Sequence, residues 1–397
     1  MLWTTLHIID LLLWLFMAAS VMYVVFLAVV SLFKSSPTTH HASLTTQHSF
    51  LVLFPAYHED AVIVHSVMEF LKSDYPKELY HVAVISDHMT DQTNQKLESL
   101  PITLLQPVFE KSSKARALQY AIEHVPDNVR ADHVVILDAD NVVKPDFLTR
   151  LNEACAKGYK AIQCHRCAKN ANNDVAVLDG VSEEINNTIF RRAHNVIGMS
   201  SALIGSGMCI EFQWFKEHVG LLNSAVEDRE LEAMLMKERI FIKFENDIPV
   251  YDEKVSNSDN FQRQRLRWMN GQFQTLLLML PYLPKAFLTG NINYIDKTIQ
   301  QALIPRSILL VLTGTFLILS TILTILFPAA FPIWLTIMWW ILFILLCLSL
   351  FIAMPSRLRK QAVFSRLVHL PRLVWHMFSN VLKIDHKNKD FIHTTHG

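Results

Sequence analysis

Apolar and polar positions follow three different rhythms along this chain. The first is the unbroken apolar run. No Asp, Glu, Lys or Arg occurs in the 23 residues from Leu11 to Phe33, nor in the 50 residues from Ser307 to Ser356. As a helix rising ~1.5 Å per residue, the shorter run extends ~35 Å, enough to cross a ~30 Å hydrocarbon core. The stretch Leu6–Phe33 exceeds a signal-peptide core of roughly 7–15 residues, carries Asp10 rather than a base near its start and has no Ala-x-Ala site after it. It therefore reads as an uncleaved anchor. The longer run divides into two spans, about Ile308–Phe327 and Ile333–Met354, because Pro328 and Pro332 break a continuous helix between them.

The second rhythm occupies the region from Ser49 to about Val250. Phe50–Phe54, Val82–Ile85 and Val134–Leu137 are short runs rich in Val, Ile and Leu, as strands buried on both faces are. Helical patterns at Asp60–Lys72 and Lys114–His124 separate them, so the order is β-α-β-α and the fold class is α/β with a mostly parallel sheet. The third rhythm lies in the tail. Arg366, His369, Arg372, His376, Asn380 and Lys383 recur at intervals of three and four, with Phe364, Leu367, Leu370, Trp375, Phe378 and Leu382 between them. That predicts a basic amphipathic helix in a membrane interface, kinked at Pro371.

Composition agrees with this division. The 397 residues are 51% apolar and only 18% charged, below the soluble average of about 25%. The charges concentrate outside the two apolar runs, where their density is that of a globular domain. A wholly soluble protein, a disordered chain and a collagen-like fibre are excluded. A net charge of zero supplies no basic face for nucleic acid. Five cysteines, few and odd in number, argue against a disulfide-stapled secreted domain and fit a reducing compartment. Lys34, Arg306, Arg357, Arg359 and Lys360 all flank the spans on one side, which the positive-inside rule makes cytoplasmic. The expected layout is an anchor at 1–34 with its N-terminus outside, a cytoplasmic α/β domain at 49–270, interfacial or connecting helices at 271–306, two spans at 307–356 and a cytoplasmic tail at 357–397.

Ligands of parallel sheets bind beyond the carboxyl ends of the strands. Three expected strands deliver acids there: Pro55-Ala-Tyr57-His-Glu59-Asp60 after the first, Ser86-Asp87-His-Met-Thr-Asp91 after the second and Asp138-Ala-Asp140 after the third. An Asp-x-Asp pair after a buried strand suits a hard cation such as Mg or Mn, which takes carboxylate and phosphate oxygens. The sequence has no Gly-x-x-x-x-Gly-Lys-Ser/Thr loop, and no Gly-x-Gly-x-x-Gly after the first strand, so P-loop and dinucleotide chemistry are excluded. Cys164-His-Arg-Cys167 has the spacing of half a zinc site, but the second pair is missing and the segment reads as a strand.

These residues carry a resemblance. From about Phe50 to Trp268, and again in the tail, the chain resembles a membrane-embedded family 2 glycosyltransferase of the GT-A fold, the group that includes cellulose and hyaluronan synthases. Pro55-Ala-Tyr57-His-Glu59 resembles the opening segment of the donor site, and Asp87 stands where the family contacts the nucleobase. Lys111-Ser-Ser-Lys114 resembles the Arg-x-Gly-Lys segment, with Ser113 where Gly is usual. Asp138 and Asp140 match the pair that binds metal and diphosphate. Val226-Glu227-Asp228 resembles Thr-Glu-Asp, with Val in place of Thr, and implies that Asp228 is the catalytic base and Glu227 its neighbour. Gln264-Arg-Leu-Arg267-Trp268 matches Gln-x-x-Arg-Trp, and Phe391-Ile-His-Thr394-Thr-His396 resembles a gating loop that closes over nucleotide, with His396 replacing Lys.

The resemblance implies an inverting transfer from a UDP-sugar with Mg or Mn. Arg267 and Lys114 would balance the diphosphate, and Trp268 would offer the acceptor a platform. The expected acceptor is a growing polysaccharide, favoured by Gln-x-x-Arg-Trp and the tail; the alternative is a single lipid hydroxyl, favoured by the small number of spans. A polymer route would call for a homo-oligomer or an export partner.

Overall fold

A computed structural model describes residues 2–33, 46–170, 174–224, 226–254 and 258–360. The proposed tail helix and gating loop, with Thr394 and His396, lie outside the described residues. The described chain forms two compact units. One holds residues 46–183 and 198–301; the other holds 2–33, 184–197 and 302–360.

The first unit is built on an eight-stranded sheet. In chain order its strands are β1 (Phe50–Tyr57), β2 (Tyr80–Asp87), β3 (Thr103–Leu105), β4 (His133–Ile136), β5 (Val142–Val143), β6 (Ala161–Ala168), β7 (Met208–Glu211) and β8 (Ile242–Asp252). In space the order is β3-β2-β1-β4-β7-β6-β8-β5. The β3-β2-β1-β4 half and the β6–β8 pair are parallel, while β7 runs antiparallel to both its neighbours. The sheet is thus mixed and mostly parallel.

The two-residue period of the strands explains why it carries a core on each face. Phe50, Val52 and Phe54 of β1 join Val82 and Val84 of β2 in one cluster, closed by Phe70, Phe147 and Leu148. Leu51 and Leu53 join Ala83, Ile85, Val134 and Ile136 in the other, closed by Leu118, Phe215 and Leu231. The helix Lys114–His124 has the bounds its pattern predicts, capped by Ser113, whose hydroxyl accepts the Arg116 amide.

The second unit contains three helices long and apolar enough to cross a membrane: Leu2–Val30, Arg306–Leu326 and Ile333–Ala353. The turn between the last two falls at the expected Phe327–Pro332 segment. Several of their polar groups find partners, as a low-dielectric setting favours. Trp339 Nε1 donates to Asp10 Oδ1 at 3.0 Å, and Trp14 Nε1 donates to the Met338 carbonyl at 3.1 Å. The same unit takes in 184–197, which the sequence pattern does not separate from the α/β domain. Here a helix loosens into a π-helical stretch, Asn187–Arg192. Several of its polar residues are bonded within the unit. Arg191 donates to Asn187, the Tyr23 hydroxyl meets His194 Nε2 at 3.1 Å, and Arg306 donates to Asn186 at 2.5 Å.

Candidate active site

The site residues converge because neighbouring strands end at the same edge. Lys114, the first residue of its helix, reaches across the end of β4. Its Nζ donates to Asp138 Oδ1 at 2.5 Å and to the Gly205 carbonyl at 2.6 Å, and lies 3.5 Å from Glu227 Oε1. Burial alone would lower the pKa of Lys114. The carboxylates of Asp138 and Glu227 more than offset it, so its pKa is raised and the ammonium is retained.

Gly205 is where backbone must approach side chains. Its φ of +70° is one that glycine adopts without strain. A Cβ there would lie 3.5 Å from Glu227 Oε1, 3.6 Å from Asp228 Oδ2 and 3.7 Å from Lys114 Nζ. The loop is fastened from several sides. Gln163 accepts the Ile204 amide and donates to the Ser206 carbonyl, Glu232 accepts the Leu203 amide, and the Ser206 hydroxyl donates to Asn141.

Asp138 is about one-third exposed, whereas Asp140 is only 4% exposed. Asp140 is held by its neighbours: Oδ2 accepts the Glu253 amide at 2.8 Å and Oδ1 accepts the Asn141 side chain at 3.1 Å. The donor set of Asp138 and Asp140 is all oxygen, which fits Mg or Mn.

Glu227 and Asp228 are the first two residues of the helix Glu227–Lys237. Asp228 Oδ1 accepts the Arg229 amide at 2.9 Å. Burial, reinforced by the charge of Asp228, pushes Glu227 up to about 7 in spite of Lys114. A folded-state pKa above the ordinary 4.5 means that the folded state binds the extra proton. Its contribution to stability is therefore present at acid pH and lost as pH rises from about 4.5 to about 7. Glu227→Gln is expected to flatten the pH dependence of the thermal midpoint across that window; an unchanged slope would place the titration elsewhere.

Gln264, Arg267 and Trp268 lie on the helix Ser258–Met279. At spacings of three and four they share a stripe with Gly271. A Cβ at Gly271 would come within 2.3 Å of Val226 Cγ1, so this stripe closes directly on the residue that precedes Glu227. Val226 serves as this packing contact.

At the other end of the edge, Tyr57 and Asp87 face each other as register partners of β1 and β2. Asp87 is 2% exposed and accepts His88 Nδ1–H at 2.6 Å. The following loop is tied down by Asp60, which accepts from the Thr90 amide and hydroxyl. Glu59 donates its amide to Met89 Sδ, and Pro55 sits within β1.

Arg166 was hidden inside the Cys164-His-Arg-Cys167 segment. Its guanidinium lies 2.9 Å from Glu183 and 3.1 Å from Asp252, and Lys254 lies 3.0 Å from Asp252. This buried ion cluster holds the end of β8, whose Glu253 amide orients Asp140.

Comparisons with known proteins bear on the family and the fold. Residues 48–271 match the family model described as glycosyltransferase-like family 2. The beta-monoglucosyldiacylglycerol synthase of Synechocystis sp. is 25% identical over 244 residues, 60% of this chain; the match spans about half, 51%, of that relative. A mannosyltransferase from Pyrobaculum calidifontis, solved with GDP-mannose and Mn2+, superposes with a TM-score of 0.52 at 17% identity, covering 84% of this chain and 95% of that one.

Proposed function

The chain belongs to glycosyltransferase family 2, and from that premise we propose that it transfers one sugar from a UDP-sugar to a lipid hydroxyl at a membrane surface. The observation that carries the acceptor is the small membrane unit: three apolar helices among the described residues, too few in one chain to enclose a polymer channel. The likeness to a synthase of monoglucosyldiacylglycerol supports the same acceptor class.

In this reading the donor lies along the carboxyl edge of β2, β1 and β4. The base sits at Tyr57 and Asp87, with Pro55 and Glu59 shaping the wall, and the diphosphate sits near Lys114. Asp138 and Asp140 would hold Mg or Mn, which when bound neutralises charge on the diphosphate. Lys114 stays protonated and adds a fixed positive charge where the leaving group develops its own. Arg267 brings a second cation from the stripe that closes on Val226, Gln264 supports it, and Trp268 gives the acceptor a flat apolar face.

Asp228 takes the proton of the acceptor hydroxyl as its oxygen attacks the anomeric carbon from the face opposite the diphosphate. The glycosidic bond forms as the bond to phosphate breaks, and configuration inverts. Glu227, whose carboxyl is raised to about 7, binds a proton more readily than an exposed acid. Asp228 stands in the first turn of the same helix, whose N-terminal dipole favours negative charge there. The three apolar helices and the flanking bases support an integral membrane enzyme with its catalytic unit on the cytoplasmic side.

A second reading, extension of a polysaccharide, is favoured by the Gln264-x-x-Arg267-Trp268 stripe. The two separate in one experiment. Purified protein in diacylglycerol-containing nanodiscs is given a panel of labelled nucleotide sugars, and the products are sized. A lipid carrying one sugar is the expected result. A ladder of longer products would establish the polymer reading, and no incorporation with any donor into either product would overturn both.

A further inference from the structure

The nucleobase end of the site contains a pair that the reaction scheme does not use. β1 and β2 run parallel with Tyr57 opposite Asp87. The next residue of each strand, His58 and His88, turns into the left-handed region at φ 53° and 57°. Few residues other than glycine adopt that conformation. Two neighbouring strands therefore end in the same uncommon turn at the same register, and the His58 amide donates to the Asp87 carbonyl at 3.2 Å. The turn brings three rings together. Tyr57 lies 4.5 Å from His58 and 5.6 Å from His88 between centroids, and the two imidazoles are 5.4 Å apart. Beneath exposed His88 is the buried carboxylate of Asp87.

Spacing fits a nucleoside diphosphate. β2, β1 and β4 are consecutive in the sheet, so Asp87 and Asp138 stand two strand spacings apart, roughly 10 Å. A ribose and two phosphates bridge such a span from a base among the rings to the Lys114–Asp138 pair.

We propose that His88 selects the nucleobase by occupying one oxygen of Asp87, so that the other accepts a single imide N–H. This rests on the donor placement given above. His88 Nδ1–H donates to Oδ1 at 2.6 Å, and among the described residues no hydrogen bond reaches Oδ2. A carboxylate with both oxygens open accepts two parallel donors, as guanine offers from N1–H and its exocyclic amine. With Oδ1 already bonded to His88, a second donor on that oxygen competes with the imidazole N–H, and Oδ2 is the acceptor left uncontested. Uracil matches it, because its ring offers one N–H between two carbonyls. Guanine's second donor would have to share Oδ1 with His88, which costs affinity. Cytosine and adenine offer no ring N–H on that edge. His88 is thus a specificity-determining residue that acts through Asp87.

The test is titration calorimetry of the full chain in nanodiscs with Mn2+, using UDP and GDP as probes. Wild-type protein is expected to favour UDP by about tenfold or more. His88→Gly removes the ring and keeps a residue at ease at positive φ, so the loop retains its path. It should weaken UDP, leave GDP equal or tighter, and compress the ratio toward one. His88→Asn, also tolerant of this φ, gives the same comparison if the glycine variant melts early. An unchanged ratio in both variants, or a wild-type preference for GDP, would overturn the proposal. Asp87→Ala separates the two readings: if it alters neither affinity, the base does not bind here and the donor placement itself is wrong.

Discussion

Asp228→Asn is expected to lower turnover by ~10²–10⁴-fold, the usual loss on removing a positioned general base, while nucleotide affinity stays at the wild-type value. The expectation follows from where Asp228 stands. Its Oδ1 accepts the Arg229 amide, an acceptor role that the asparagine carbonyl can take over, so the helix start is preserved. The groups assigned to the diphosphate are held elsewhere: Lys114 by Asp138 and Gly205, and Asp140 by Glu253 and Asn141. None of these bonds uses the Asp228 carboxylate. What the substitution removes is the capacity to take a proton beside Gly205. Single-turnover kinetics with bound donor isolates that step, and calorimetry with UDP checks the ground state. Turnover close to wild type in a folded variant would remove Asp228 from the mechanism. Equal losses in binding and turnover would make it a donor ligand instead.

Much of this arrangement was legible in the sequence because it depends on local pattern. Phe50–Phe54 and Val82–Ile85 alternate between two cores, and a run apolar at every position signals that both faces are covered. The spans were legible because fifty residues without charge admit few other structures. The strand ends were less so. β1 continues through Pro55 and Ala56 to Tyr57, pairing in register with Ile85, Ser86 and Asp87. A motif read as a loop is therefore the last part of a strand, which is why its side chains have fixed directions. β8 escaped detection altogether, since Lys243, Glu245, Asn246 and Asp247 interrupt any apolar run.

The site shows the same division. Acids after apolar runs announced themselves, whereas Gly205, Arg166 and Lys254 matter only through partners far away in sequence. Nothing local distinguishes Gly205 until its carbonyl is seen to hold Lys114, 91 positions away. Likewise Glu184, Asn187 and Arg191 look like one face of a surface helix. They are buried because 184–197 groups with Tyr23 and Arg306 among the membrane helices.

Arg166→Met is expected to be the most destabilising single change in the α/β unit, at about 3–5 kcal/mol, the range for removing one partner of a buried ion pair. Arg166 and Asp252 are each 12% exposed at the side chain, Glu183 6% and Lys254 3%, so water cannot replace the lost guanidinium. Methionine fills most of the stem volume but removes the cation that lies 2.9 Å from Glu183, while Lys254 stands farther off, at 3.9 Å. In a unit of this size the loss corresponds to a thermal midpoint lower by roughly 6–20 °C. The charge argument is separable from packing by a second variant. Arg166→Met combined with Glu183→Gln removes the stranded carboxylate and should recover part of the loss, since contacting residues are not additive. The catalytic consequence runs through the backbone. Asp252 and Lys254 anchor the end of β8, and the Glu253 amide between them holds Asp140 Oδ2 at 2.8 Å. Below its melting range the single variant should therefore bind Mn2+ and UDP more weakly, in proportion to the freedom gained by Asp140. A variant that melts early yet binds both normally would confine the cluster to stability. One that melts at the wild-type temperature would show that the four charges do not depend on Arg166 at all.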